Sequence, residues 1–139
     1  MKAELIYKFA LSHMDEMKDA KGTKNEKPEI DSTSTKDYRA RTPGILTSIQ
    51  NDIAMELGLG YLEEVTTMNG EVDLEDEICA TVVVYELCAR LLLTEDPSLS
   101  NYFSSLATDS KNKSLDKYKP KAQKKYIVDV YGSKMRVGD

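Results

Sequence analysis

The chain is short of the residues on which most enzymes and small secreted domains rely. It has one histidine, two cysteines and four prolines in 139 residues. One histidine cannot make a histidine metal cluster. A nucleophile–histidine pair would need Cys79, Cys88 or a serine to meet His13 in space. There is no GxSxG, no P-loop, no HExxH and no glycine-rich dinucleotide loop. Two cysteines without dense spacing exclude a disulfide framework and suggest a reducing compartment. Positive charge is also in deficit: the formal net charge is −5 and the sequence pI is about 5.0. The whole protein is therefore not an electrostatic nucleic-acid binder. No uncharged apolar run reaches the ~20 residues of a membrane span. The opening segment, MKAELIYKFALSHMDEM, is broken by charge and has no small-residue cleavage site. No secretory leader is expected, and the chain reads as a soluble protein made inside the cell. Its length suits one domain.

What is present centres on Asp73–Asp96, DLEDEICATVVVYELCARLLLTED. From Ile78 to Leu93 apolar residues cover nearly every side of a helix, the pattern of a helix buried in the middle of a bundle. Asp73 is placed as its N-cap and Asp76 as the capping-box acid. Glu75, Asp76 and Glu77 suit the positive end of the helix dipole. They would also suit a cation, but a helix N-terminus explains them more simply. Glu86 and Arg90 are spaced to pair across one exposed stripe. Cys79 and Cys88 are about 900° apart around a helix and fall on opposite faces, as core residues would.

Around this stretch, Lys2 to about Lys18 reads as an amphipathic helix. Ile6, Ala10, His13 and Met17 share one face, flanked by Leu5, Phe9 and Met14. His13 sits at the edge of that face, where a packed or solvated histidine is expected rather than a ligand. Asp19–Lys36 has almost nothing to bury and reads as a mobile loop, either functional or a tolerated insertion. Asp37–Leu57 is the second main helix, with Leu46, Ile49, Ile53 and Leu57 in step and Ile45 and Met55 beside them. Pro43 is either its first residue, with Thr42 as N-cap, or a kink within it. Gly58 suits its C-cap. Gly58–Val72 reads as an irregular connection, with a possible short hairpin turning at Asn69-Gly70. Asp96-Pro97 stops the central helix and starts another. That helix carries Leu99, Tyr102, Phe103, Leu106 and Ala107 on one face.

From Lys111 the composition turns basic, through Lys111, Lys113, Lys117, Lys119, Lys121, Lys124, Lys125, Lys134 and Arg136. Within it Tyr126–Tyr131, YIVDVY, alternates as a strand does. Tyr126, Val128 and Val130 lie on one side, Ile127, Asp129 and Tyr131 on the other. A lone strand needs a sheet edge, its own (Tyr61–Thr67 being the candidate) or another chain's. Lys119, Lys121, Lys124, Lys125 and Tyr126, Ile127, Val128, Asp129, Val130, Tyr131 together are the expected partner-binding tail. The lysines would meet an acidic partner or phosphates. The expected fold is all-α: a bundle of about four helices over residues 1–116 with a central buried helix, then an extended, β-prone tail over 117–139. No catalytic, cofactor-binding or metal-binding residues are expected, and no enzyme activity.

Two segments carry a resemblance. One is DYRARTPGILTSIQNDIAMEL, the other VDLEDEICATVVVYELCARLLLTEDPSLSNYFSSLATDSKNK. Their Arg-x-x-x-Ile-Leu with a later acid–Leu, the Asp-started apolar helix ending Leu-Leu-x-Glu-Asp-Pro, and Leu-x-x-Tyr-Phe resemble the head–tail connector (adaptor, head-completion) proteins of long-tailed bacteriophages and prophages of Gram-positive bacteria. The match rests on Tyr38, Arg39, Arg41, Ile45, Leu46, Glu56, Leu57, Leu74, Ala89, Leu91, Glu95, Asp96, Pro97, Leu99, Tyr102 and Phe103, about half the chain. The resemblance implies a structural virion protein of the neck, made in the bacterial host cytoplasm. It implies a helical bundle assembling as a ring, commonly dodecameric, beneath the portal. The implied partners are the portal protein, copies of itself, the tail terminator or next neck protein, and DNA passing through the lumen without sequence-specific binding. It implies no cofactor and no membrane. The competing reading is a small helical DNA-binding regulator or regulator-associated module, with a helix-turn-helix near Pro43 or Pro97. Against it, the helix after Pro97 presents Ser98, Ser100, Asn101, Ser104 and Ser105, not the arginines and lysines a groove-reading helix carries.

Overall fold

The apolar run Ile78–Leu93 forms the column on which the other helices pack. The computed structural model describes residues 1–20 and 33–115, with side chains over 1–15 and 37–115. In chain order the elements are α1 (Ala3–Ala20), α2 (Thr33–Leu57), α3 (Asp76–Ile78), a π-helical turn (Cys79–Val83), α4 (Val84–Leu92) and α5 (Pro97–Leu115). The described part is all-α, with no strand beyond an isolated bridge between Lys2 and Glu71.

α3, the π turn and α4 are consecutive and make one central helical column. Cys79, Val82, Val83, Val84, Leu87, Cys88, Leu91 and Leu92 are all fully buried along it. Each buried Val or Leu contributes about 1.5–3 kcal/mol. The column differs from the expected single α-helix in two ways. It begins at Asp76, and Asp73 is not its cap: the N-cap is Glu75, with no side-chain cap bond. The Asp73 N–H is instead held by the Gln50 side chain. Second, Cys79–Val83 is π-helical, the Val84 N–H reaching back to the Cys79 carbonyl. Beside that turn the Thr81 hydroxyl donates to the Glu77 carbonyl at 2.8 Å, a back-bond of the kind that loosens a helix locally.

The corner after α4 forms as its residues dictate. Asp96 Oδ1 accepts the Leu99 N–H at 3.1 Å and Pro97 is the first residue of α5. α5 then runs antiparallel along the column. The Ser100 hydroxyl donates to the Ala89 carbonyl at 2.7 Å, and Phe103 stacks on Tyr85 with centroids 6.3 Å apart. Leu99, Phe103 and Ala107 are buried, whereas Tyr102 stays exposed.

α1 reaches Ala20, slightly beyond its expected end, and α2 begins at Thr33. The segment expected as one loop over 19–36 thus gives both its ends to helices, and residues 21–32 lie outside the described part. The buried face of α1 is Ala3, Ile6, Tyr7, Ala10, Leu11 and Met14; Leu5 and Phe9 lie outside it. Pro43 stands inside α2, so Thr42 is not an N-cap. Thr42 is fully buried, and its hydroxyl donates to the Tyr38 carbonyl at 2.7 Å. α2 ends as expected at Gly58, whose φ of 76° is the left-handed conformation glycine adopts at least cost. The Gly58 N–H bonds the Met55 carbonyl and the Leu59 N–H the Ala54 carbonyl, the Schellman pattern. Among the described residues no helix is long and apolar enough to cross a membrane.

Candidate interaction surface

Gly58–Glu75 makes no hairpin. Its extended limb is strapped to α2 by three polar side chains within about one helical turn. Thr47 Oγ1 accepts the Val65 N–H at 2.9 Å and lies within hydrogen-bond reach of the Val65 and Pro43 carbonyls. Asn51 Oδ1 accepts the Leu62 N–H at 2.9 Å. Gln50, fully buried, donates from Nε2 to the Glu63 carbonyl at 2.6 Å and accepts the Asp73 N–H at 3.3 Å. Its amide therefore ties both limbs of the connection to one point of α2. The backbone groups of Tyr61–Thr67 proposed as a sheet edge are thus partly committed to side chains.

The second limb closes over the start of α1. A turn forms at 67–70, with the Gly70 N–H bonded to the Thr67 carbonyl at 3.0 Å. The Met68 and Gly70 carbonyls accept the N–H groups of Glu4 and Ala3, both at 2.9 Å. Helix N-termini leave such donors unsatisfied, and here the connection supplies their partners. The Asn69-Gly70 turn signal is realised, but it joins no strands.

Two clefts open on this side and share Asp73 and Leu74 as a common wall. One, about 540 Å³, is lined by Leu57, Leu59, Asp73, Leu74, Glu75 and Ile78. The other, about 510 Å³, has four acids in its lining, Glu63, Glu64, Glu71 and Asp73. The α-amino group of Met1 pairs with Glu71 at 3.2 Å and Asp76 at 3.6 Å. Burial disfavours that ammonium, but the Glu71 hydrogen bond and the charges around it outweigh burial and raise its pKa. Glu63, Glu64, Asp73 and Glu75 have no ion-pair partner among the described residues. Next to the apolar cleft, Met55 and Tyr61 are each 79% exposed. At the far end of the column Leu93 is 62% exposed. Fifteen residues separate Ile78 from Leu93, about 22 Å of helix.

The remaining polar contacts hold the bundle together. Tyr38, buried, donates its hydroxyl to the Glu95 carboxylate, joining α2 to the α4–α5 corner. Burial, then that carboxylate, pushes the Tyr38 pKa up. Arg39 forks onto both oxygens of Glu4, with Nη1–Oε2 at 3.0 Å. Arg90 pairs with Glu86 at 3.5 Å, as the spacing predicts, and also with Asp52 at 3.2 Å. His13 packs on Tyr85 with ring centroids 5.2 Å apart. Cys79 and Cys88 are both free and buried, and burial raises both thiol pKa values. Among the described residues no group of three His, Cys, Asp or Glu side chains is placed to hold a metal ion.

The ten residues expected to bind a partner, Lys119, Lys121, Lys124, Lys125 and Tyr126–Tyr131, lie outside the described residues. What the sequence reading missed is the strap of Thr47, Gln50 and Asn51. Its signal was available: an amide between Ile49 and Ile53 on the buried face of α2 needs a polar partner. Met55, expected beside the core, is exposed. Comparison with protein-family models, curated proteins and solved structures finds no match for this chain.

Proposed function

We propose that the chain is a structural virion protein, a head–tail connector that forms a ring beneath the portal and lets DNA pass. The observation that carries this reading is that unlike exposed apolar side chains stand at opposite ends of the central column. Met55, Leu59 and Tyr61 form a patch at one end, and a single leucine, Leu93, projects from the other. A head-to-tail contact between identical subunits needs two different surfaces on each copy, and closes into a ring when its rotation allows.

Two further features support it. The residues that resemble the connector family have structural roles that shape the bundle: Tyr38 and Glu95 bond each other, Asp96 caps α5, and Leu46, Leu91, Leu99 and Phe103 are buried. The described body is also acidic, and fixed negative charge lowers affinity for phosphates, which suits a passage for DNA. In this reading the partners are the portal protein, further copies of the chain and the next neck protein. The lysine-rich tail with its Tyr126–Tyr131 strand is the segment that reaches them.

The test is to purify the chain and measure its mass by light scattering after size exclusion, with and without the portal protein of the same phage, followed by negative-stain imaging. A monomer or weak oligomer that becomes a ring on the portal is the expected result. A chain that neither binds the portal nor forms rings at any concentration removes the reading.

A further inference from the structure

The apolar cleft lies between the end of α2 and the start of the central column. The packing register of α5 on the column locates the point where the described chain ends. Ser100 faces Ala89 and Phe103 faces Tyr85, so residue numbers across this antiparallel pair add to about 188. Continued along α5, that register brings its last turn level with α3, which it contacts. Leu115 is buried, 3% exposed. One turn earlier Lys111 Nζ bonds Glu56 Oε1 at 2.9 Å, pinning the end of α5 beside Leu57. Asp73, Leu74 and Leu57 are themselves walls of the cleft. The last described residue of α5 therefore lies near the rim of the cleft.

Leu115 is followed by Asp116 and then by Lys117, Tyr118, Lys119, Pro120 and Lys121. At no more than about 3.5 Å per extended residue, all five lie within about 21 Å of Leu115. In extended backbone successive side chains alternate. Lys117, Lys119 and Lys121 would then fall on one side and Tyr118 and Pro120 on the other. The cleft has the matching pair of surfaces. Leu57, Leu59, Leu74 and Ile78 give an apolar floor, and Asp73 and Glu75 give an acidic wall, continued by Glu63 and Glu64 in the neighbouring cleft; no described cation pairs with these four.

We propose that Lys117–Lys121 of the same chain docks in this cleft, Tyr118 and Pro120 on the leucines and the three lysines along the acidic wall. Tethering at the rim gives the segment a high effective concentration, so modest contacts suffice. Docking also fixes the direction in which Tyr126–Tyr131 leaves the body. The inference does not depend on the chain's being a ring component.

Leu59 is half-exposed and tolerates a probe. The full chain carrying Leu59→p-benzoylphenylalanine is irradiated at low concentration, and its products are digested and mapped. A cross-link to the peptide containing Tyr118, in a product with the mass of one chain, is expected. Lys117→Glu, Lys119→Glu and Lys121→Glu together should lower its yield at least fivefold at low salt. Adding Asp73→Lys and Glu75→Lys to that variant should restore it. Thermal melts of every variant confirm folding before the yields are compared. A product with the mass of two chains, a cross-link elsewhere, or a yield indifferent to the charge reversals overturns the proposal.

Discussion

Gln50 and Val83 show how much rests on single side chains. Val83 is fully buried on the central column. Val83→Asp leaves an unpaired carboxylate there, at a cost of several kcal/mol. That approaches the whole stability of a domain of this size, about 5–15 kcal/mol. The variant is expected to lack a cooperative thermal transition by circular dichroism. Gln50 is buried for a different reason, since its amide serves a carbonyl at 63 and an N–H at 73. Gln50→Ala strands both groups and should cost about 1–3 kcal/mol. Amide exchange should rise over 59–75 and stay unchanged in α5. Uniform loss of protection would show that the connection and the bundle open as one unit.

The elements are joined by a few polar contacts whose response to pH follows from their chemistry. Arg39 of α2 hydrogen-bonds Glu4 of α1 and holds its carboxyl below the ordinary value of 4.5, although burial works the other way. The sign is that of a depressed acid. The contribution is complete above the unfolded value and disappears as pH falls through the lower folded value. Glu4→Gln should therefore lower the melting temperature at pH 7, and the gap to the parent chain should close below about pH 4. The effect will be modest, because the pair is partly exposed and solvent screens it. A gap that persists into acid would mean that packing, not charge, is what the substitution disturbs. The caps were easier to read. Asp96-Pro97 and Gly58 are local signals that act within one helical turn, and both ends form where those residues stand.

At the scale of the whole molecule, the expected assembly segment and the body separate cleanly in sequence. The tail strand should contribute to partner binding without holding the bundle together. Val128→Pro removes a backbone donor from the middle of that strand. It should leave the helical melt within about 0.5 kcal/mol of the parent chain. Binding to the portal, measured by light scattering or co-sedimentation, should be lost. A destabilised bundle would instead assign the strand to the fold. Leu93→Glu tests the other end of the column. It should weaken ring formation while leaving the monomer folded, because Leu93 is already mostly in water.

The amino-acid sequence alone determined the helical class, the buried central helix, the Asp96 and Gly58 boundaries, the Glu86–Arg90 pair and the burial of both cysteines. These follow from spacing and local chemistry, which act over one or two helical turns. The tertiary structure decided what depends on distant partners. Asp73 had every local qualification of an N-cap, yet Gln50, 23 residues away, holds its N–H and the column starts later. Pro43 could begin a helix or interrupt one. The sequence left both open, and in the structure α2 runs through it. The start of α1 is satisfied by carbonyls at 68 and 70, a pairing that no helical period contains. Leu5, Phe9 and Met55 stood beside the expected core faces by spacing, and in the structure they are exposed. Periodicity specifies which residues share a face of a helix. Only the packing of all the helices together decides which face is covered.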